Sequence, residues 1–318
     1  MLVQVIIFII GLCVLSWAAD RFVYGASALA KNIGISPMMI GLTIVAMGSS
    51  APEIVVSAIA SVNGSPDTAV GNALGSNITN IGLVLAITAL VKPLMVSSTT
   101  LKREMPALLI ITLVAMGFMY NGQLAHIEGL FLFGMFIFAL AGMAWLSLNV
   151  EKSDPLMSET TDEIPSNENT GMAVVWIGVG LLLLPLSAHF IVDSAVFIAR
   201  YFGVSDLVIG LTIIALGTSL PELAASIAGV MKGEDDMALG NIIGSNIFNL
   251  LAVLSMPGLI APGPLDPDVY HRDMYVMFGL TALLFFFSFS IIGKKQIGRL
   301  EGALLLAGFI GYQFLLFG

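Results

Sequence analysis

A forty-residue cassette occurs twice in this chain, 169 positions apart, and each copy places one glutamate inside an apolar segment. The first copy runs Gly41-Leu42-Thr43-Ile44-Val45-Ala46-Met47-Gly48-Ser49-Ser50-Ala51-Pro52-Glu53. The second runs Gly210-Leu211-Thr212-Ile213-Ile214-Ala215-Leu216-Gly217-Thr218-Ser219-Leu220-Pro221-Glu222. The register holds without a gap into Gly71-Asn72-x-x-Gly75-Ser76-Asn77-Ile78-x-Asn80 and Gly240-Asn241-x-x-Gly244-Ser245-Asn246-Ile247-x-Asn249. Residues 41–80 and 210–249 share twenty identities in forty, mostly Gly, Ser, Thr, Asn, Pro and Glu. Hydrophobic pattern alone does not produce such a match. Polar and helix-breaking residues repeated at membrane depth point to a site built jointly by two halves.

The depth follows from composition. The chain is 58% hydrophobic and 10% charged, with mean hydropathy +0.99, whereas soluble domains carry roughly 25% charged residues. A helix needs about 20 apolar residues to cross the hydrocarbon core. The apolar runs predict ten transmembrane helices, near 3–31, 36–62, 68–91, 103–120, 126–148, 172–200, 206–231, 237–260, 273–292 and 299–317. The fold class expected is therefore all-α integral membrane. Spans one and six are long enough to require tilt. The first apolar stretch lacks a basic leader and reads as part of the fold rather than a signal peptide.

One long polar stretch, Asn149 to Thr170, carries six acids against Lys152. It reads as a solvated acidic linker, too short for a folded regulatory domain. The chain thus divides into halves 1–148 and 172–318 joined by a linker at 149–171. With the N-terminus outside, the inner loops hold Lys31, Lys92, Lys102, Arg103, Lys152, Lys232, Lys294, Lys295 and Arg299, and the outer loops only Arg200 and Arg272. That asymmetry favours periplasmic termini and a cytoplasmic linker. Five spans per half is an odd number, so the second half enters the membrane upside down. The expected architecture is two inverted five-helix repeats.

A charged group at the bilayer centre costs about 3 kcal/mol or more. Glu53 and Glu222 therefore need partners or protons. No Lys or Arg lies within 41–62 or 210–231, which leaves a mobile cation as the natural partner. Pro52 and Pro221 precede the glutamates. Each removes an N–H and crowds the carbonyl four residues back, that of Gly48 or Gly217, loosening neighbours such as those of Ser49 and Thr218. The expectation is a kink whose freed oxygens face a cation. Ser49, Ser50 and Glu53 share one helical face, as do Thr218, Ser219 and Glu222. Asn72, Ser76 and Asn80 form an i, i+4, i+8 stripe, repeated as Asn241, Ser245 and Asn249. This all-oxygen set suits hard cations such as Ca2+. Neither cassette holds His or Cys, which argues against zinc or copper. Gly71/Gly75 and Gly240/Gly244 read as small-residue surfaces for close helix contact.

The remaining polar groups read as structural. Asp20 can pair with Arg21; Asp20 aligns with His189 and Asp193 with Tyr24, so neither is duplicated between the halves, and Glu301 reads as interfacial or structural in the same way. His126 and His271 fall in expected loops, and His189 lies mid-helix without a clustered ligand. Cys13, the single cysteine, reads as a buried apolar filler. The sequence calls for no cofactor, no nucleic acid and no obligate protein partner.

Gly-x-Ser/Thr-x-x-Pro-Glu followed by Gly-Asn-x-x-Gly-Ser-Asn resembles the two α-repeats of the cation/calcium antiporter superfamily. Length, short linker and Gly-Ser-Asn-Ile-Phe-Asn are similar to bacterial inner-membrane sodium/calcium exchangers of the YrbG type. The resemblance implies that spans two, three, seven and eight surround a diamond of cation sites. It implies Ca2+ between Glu53 and Glu222 with carbonyls near Ser49 and Thr218. Further, it implies Na+ sites using Ala46, Ser50, Ser76 and their counterparts Ala215, Ser219 and Ser245, with spans one and six sliding across the core. At one position the chain departs: many sodium-exchanging relatives have Asp where it has Asn249, opposite Asn80. Two Glu and two Asn give a formal site charge of −2.

That charge gives a reason for exchange. An empty −2 site is costly to enclose in hydrocarbon, whereas one Ca2+, two Na+ or two protons neutralise it. A third Na+ leaves +1 and makes the loaded form voltage-sensitive. The expected function is Ca2+/Na+ antiport by alternating access in the cytoplasmic membrane, with Ca2+, Na+ and the lipid bilayer as partners. A proton/Ca2+ antiporter on the same glutamates, or one dependent on K+, is the nearest rival; a cation channel is a further one. An intramembrane hydrolase lacks its motifs, since neither His-Glu-x-x-His nor Gly-x-Ser-x-Gly occurs.

Overall fold

The structure, a computed structural model, describes residues 1–35, 40, 44, 46–96, 104–147, 169–233, 235–289 and 296–317. Much of the start of the first cassette (Gly41, Leu42, Thr43, Val45) and nearly all of the acidic linker lie outside the described residues, as do Lys102, Arg103, Lys294 and Lys295. Helix lies in each of the ten expected intervals. Unsatisfied backbone is too costly in lipid for the chain to do otherwise.

The first half contains α1 (Leu2–Asn32), the short α2 (Ala46–Gly48), α3 (Ala51–Val62) and α4 (Pro66–Thr79). A π-helical stretch, Asn80–Leu85, carries α4 into α5 (Ala86–Val91), followed by α6 (Met105–Met119) and α7 (His126–Ser147). The second half contains α8 (Thr170–Phe202), then α9 (Asp206–Ile209), which passes through a π stretch at Gly210–Ile214 into α10 (Ala215–Thr218). After α11 (Leu220–Lys232), α12 (Asp235–Phe248) continues through a π stretch at Asn249–Val253 into α13 (Ser255–Ile260). A π turn at Val269–Asp273 opens α14 (Met274–Ser288), and α15 (Arg299–Phe317) ends the described chain. Among the described residues, six apolar helices are long enough to cross a membrane unbroken, and the pair 206–218 and 220–231, bent by 42°, makes a seventh if it is one span. His126 starts α7 and His271 lies in the π turn, so neither sits in a loop as expected.

The repeat is visible in the turns. Gly34 and Gly203 adopt φ of 93° and 68°, and Gly64 and Gly233 adopt 79° and 91°. Each pair is separated by the same 169 positions as the cassettes. A left-handed residue ends a helix by letting the next N–H groups turn back onto its last carbonyls, and glycine does so without steric cost.

Short antiparallel bridges tie loops at the two ends of the bundle. β1 (Leu94–Met95) pairs with β4 (Gln296–Ile297), Leu94 opposite Ile297. At the other end β2 (Gln123–Leu124) pairs with β3 (Gly263–Pro264), Leu124 opposite Gly263. Lys92 joins the first end to the second half, donating to the Val230 carbonyl at 2.8 Å and pairing with Asp235 at 3.1 Å.

α1 and α8 lie antiparallel along their length. Gln4 accepts from Ser194 at 3.0 Å near one end, and Asn32 donates to Thr170 at 3.1 Å at the other. With 31 and 33 residues, each is about 46–50 Å long at 1.5 Å per residue, longer than the ~30 Å hydrocarbon core, so tilt is required. Their shared apolar cluster takes in Val56, Ala60, Ile209 and Ile214, and is separate from the main core of α4–α7 and α12–α15. Cys13 is a correction: it is exposed on α1 rather than buried. In a membrane protein the outward face is as apolar as the core, so an apolar neighbourhood in sequence does not tell the two apart.

Candidate ion-binding site

Both cassette helices end and restart at the site. α2 stops at Gly48 and α3 begins at Ala51; α10 stops at Thr218 and α11 begins at Leu220. The residues at the breaks match closely, Ser50 at φ −90°, ψ 2° and Ser219 at φ −88°, ψ 3°. A kink within a continuous helix was expected. Instead, Pro52 and Pro221 occupy the first turn of a new helix, where a missing N–H has no intrahelical partner to lose. Glu53 and Glu222 fall in that same first turn, at the positive end of the half-helix dipole.

The two glutamates are each 1% exposed, and α3, which carries Glu53, meets α10, which ends just before the Glu222 helix. All four of their carboxylate oxygens are buried without a hydrogen-bond partner among the described residues. The Thr218 side chain stands beside Glu53, its hydroxyl donating to the Ile214 carbonyl at 3.2 Å. Ser50 and Ser219 are also buried, and neither hydroxyl has a partner among the described residues. From the other repeat, the Ser245 hydroxyl meets that of Ser49 at 3.3 Å.

The helix after each break completes the site. Asn72 donates to the Glu53 carbonyl at 3.1 Å, fixing that turn. Ser76 is buried, its hydroxyl without a partner among the described residues. α4 lies against the π stretch of the second half with almost no side-chain spacer. A β-carbon at Gly75 would stand 2.6 Å from the Leu211 Cα and 2.8 Å from the Ala215 Cβ. Ala215 is thereby buried opposite the Ser76 helix, while its repeat-mate Ala46 opens α2, with its side chain outside the described residues. The second glycine pair differs from expectation. Gly244 meets nothing within 4 Å and Gly240 only the edge of Glu104, among the described residues.

Asn80 and Asn249 each begin a π-helical stretch. Such turns break the regular hydrogen-bond ladder and often mark functional positions. One carbonyl at the end of the second stretch is held across the repeats. Pro257 lacks the N–H that Val253 would use, and the Ser57 hydroxyl donates to Val253 instead, at 2.9 Å. Asn80 donates its amide to Asn246 at 3.1 Å, while both amide atoms of Asn249 are buried without a partner among the described residues. Sequence reasoning passed over Ser57, Asn77 and Asn246, although all three lie in the repeated cassette. The signal was the identity at 57/226 and 77/246 itself.

The peripheral acids are spoken for. Asp20 pairs with Arg21 at 2.6 Å, and Glu301 accepts from the Gly298 N–H at 3.0 Å. His189, expected to stand alone, contacts Asp193 at 3.3 Å and Asn63 at 3.1 Å. Asp273 is fully buried but held by Arg272 at 2.7 Å and Tyr312 at 2.8 Å. Among the described residues, only the central pair combines full burial with unpaired carboxylates. The donor set around it offers hydroxyl, amide and carboxylate oxygen, the chemistry of a hard-cation site.

Comparison with known proteins gives a family match along nearly the whole chain. The sequence pattern of the family described as sodium/calcium exchanger protein matches residues 3–145 and 172–318. The chain is 55% identical to CaxA of Alkalimonas amylolytica over 100% of its own length and 99% of that protein. It is 44% identical to the inner membrane protein YrbG of Escherichia coli, over 100% and 98% of the two chains. Among solved structures, the sodium-calcium exchanger NCX_Mj soaked with Na+ and Ca2+ matches at TM-score 0.64 and 33% identity, covering 98% of this chain and 97% of that one.

Proposed function

This chain belongs to the sodium/calcium exchanger protein family, and from that premise we propose that it exchanges Ca2+ for Na+ across the cytoplasmic membrane by alternating access. It is a multi-pass membrane protein and a cation/Ca2+ antiporter, a transporter rather than an enzyme. The observation that carries the finer reading is the pair of buried, unpaired carboxylates, one from each half, at Glu53 and Glu222.

In this reading Ca2+ binds between the two glutamates, with the carbonyls at Ser49 and Thr218 completing its shell. Na+ uses Ala46, Ser50 and Ser76 on one side and Ala215, Ser219 and Ser245 on the other, and the Asn80 and Asn249 amide oxygens between them serve the Ca2+ shell as well. The transported ions are substrates, and no resident cofactor is involved. The formal −2 charge makes the empty site costly to enclose, so only loaded forms cross and each turnover carries an ion in each direction. Residues 1–148 and 172–318 act as two inverted five-span repeats. The α1–α8 pair slides across the core, consistent with its separate apolar cluster. Both termini are periplasmic and the linker at 149–171 is cytoplasmic, as the Lys and Arg distribution favours.

Proteoliposomes containing 45Ca2+ at fixed pH test this. An outward or inward Na+ gradient drives opposed Ca2+ movement, and K+ at equal ionic strength does not. Ca2+ flux that follows only an imposed pH gradient overturns the Na+ assignment in favour of proton exchange, which the same carboxylate pair also supports, since two protons neutralise it. Flux with no counter-ion overturns antiport itself.

A further inference from the structure

Two asparagines of the repeated Gly-Ser-Asn-Ile segment, Asn77 and Asn246, have no place in the ion shell described above, yet both are at most 1% exposed. A buried amide is costly unless its donor and acceptor find partners. Asn246 offers its Oδ1 to the Nδ2 of Asn80 in the opposite repeat at 3.1 Å. That contact leaves the Asn80 Oδ1 buried with no hydrogen-bond partner among the described residues. We propose that Asn246 is a positioning residue that fixes the Asn80 amide with its nitrogen turned away and its oxygen free to ligate the transported cation. The inference rests on the ion-site reading above.

The physical reason is the two-faced nature of an amide. Its oxygen attracts a cation and its NH2 repels one, and the two ends are nearly equal in shape. In this pair Asn246 presents its oxygen to the Asn80 NH2, while its own Nδ2 is buried without a partner among the described residues. The repeat-mate contact is not made. Asn77 instead donates to the Met277 sulfur at 3.7 Å, and both amide atoms of Asn249 are without a partner among the described residues. Asn80 is thus the pre-oriented asparagine of the pair, and Asn249 is not held in this way.

The test is a double-mutant cycle read as the half-saturating Ca2+ concentration of exchange in proteoliposomes, with thermal unfolding in detergent as a check on folding. Asn246→Leu keeps the volume and removes the acceptor. It raises the half-saturating Ca2+ about tenfold, the size expected for one lost hydrogen bond. Asn246→Ser, smaller and polar, does the same if the Leu variant fails to fold. Adding either to Asn80→Ala produces no further loss, because the group being positioned is already gone. Asn77→Leu, the same change in the repeat-mate, leaves the half-saturating Ca2+ within about twofold of wild type. Losses that multiply in the double variant, or an Asn246→Leu protein with wild-type Ca2+ dependence, overturn the proposal. If Asn80→Ala alone leaves Ca2+ dependence unchanged, then Asn80 lies outside the ion site and the underlying assignment fails with it.

Discussion

Gly210 meets Gly71 backbone to backbone: a β-carbon on Gly210 would stand 3.0 Å from the Gly71 Cα and 2.5 Å from the Thr68 carbonyl oxygen. This joins the third helical span of one repeat to the π stretch within the broken span of the other. Because the obstruction is backbone, it cannot rotate aside. Gly210→Ala should therefore destabilise the folded transporter by roughly 1–3 kcal/mol and lower its unfolding temperature in detergent. Gly178→Ala, whose β-carbon meets nothing within 4 Å, is the control. Equal unfolding temperatures for both variants would show that the helices part easily at Gly71.

Glu53→Gln and Glu222→Gln preserve volume and remove one charge. Ca2+ then faces a formal −1 site, so Na+-driven Ca2+ uptake should fall by orders of magnitude in either variant. The two carboxylates are matched in burial and in their half-helix position, so the losses should be of similar size. Near-wild-type uptake in a folded Gln variant would remove that glutamate from the site.

Asn249→Asp adds a carboxylate to a centre that already holds two. Three like charges at close quarters resist joint ionisation, so the variant site exchanges a proton across roughly pH 5–8. At the acid end the added group is neutral and exchange should approach the wild-type rate. At the alkaline end a Ca2+-loaded site carries −1 and the rate should drop. Wild type, with its glutamates cation-loaded, should give a flatter profile. Initial rates against pH in proteoliposomes decide this, and superimposable curves would place residue 249 outside the ion site.

Ser57→Ala withdraws the hydroxyl that caps the Val253 carbonyl across the repeats. The lost bond should cost about 1 kcal/mol of stability or somewhat more, since the carbonyl is left buried. Thermal unfolding of the purified variant measures it. An unchanged midpoint would mean that water replaces Ser57 without loss.

Sidedness is accessible through cysteine labelling. Cys13 is exposed on α1, so it must first be replaced by serine. In that background, Ser158→Cys should resist a membrane-impermeant thiol reagent in intact cells, and Gly318→Cys should react. Rapid labelling at 158 would reverse the orientation drawn from the loop charges.

The sequence by itself determined the ten intervals in which helix lies, the doubled cassette and the two glutamates it carries, both of them buried. Lipid explains why. A chain without water must satisfy its backbone within each span, so apolar length maps directly onto helices. A polar residue kept twice at membrane depth then stands out against that background. What the tertiary structure decided is direction and partnership. Hydropathy reports depth but not which way a helix faces, because lipid and core are equally apolar; hence Cys13 faces outward. Proline spacing predicted a kink in each cassette helix, and packing decided that they stop and restart at Ser50 and Ser219. The match between the repeats implied equal roles for Asn77 and Asn246. Only contacts from elsewhere in the chain, Met277 on α14 and Asn80 on the opposite repeat, give the two amides different partners. An amide buried in a low-dielectric interior takes whichever donor or acceptor the surrounding helices bring to it.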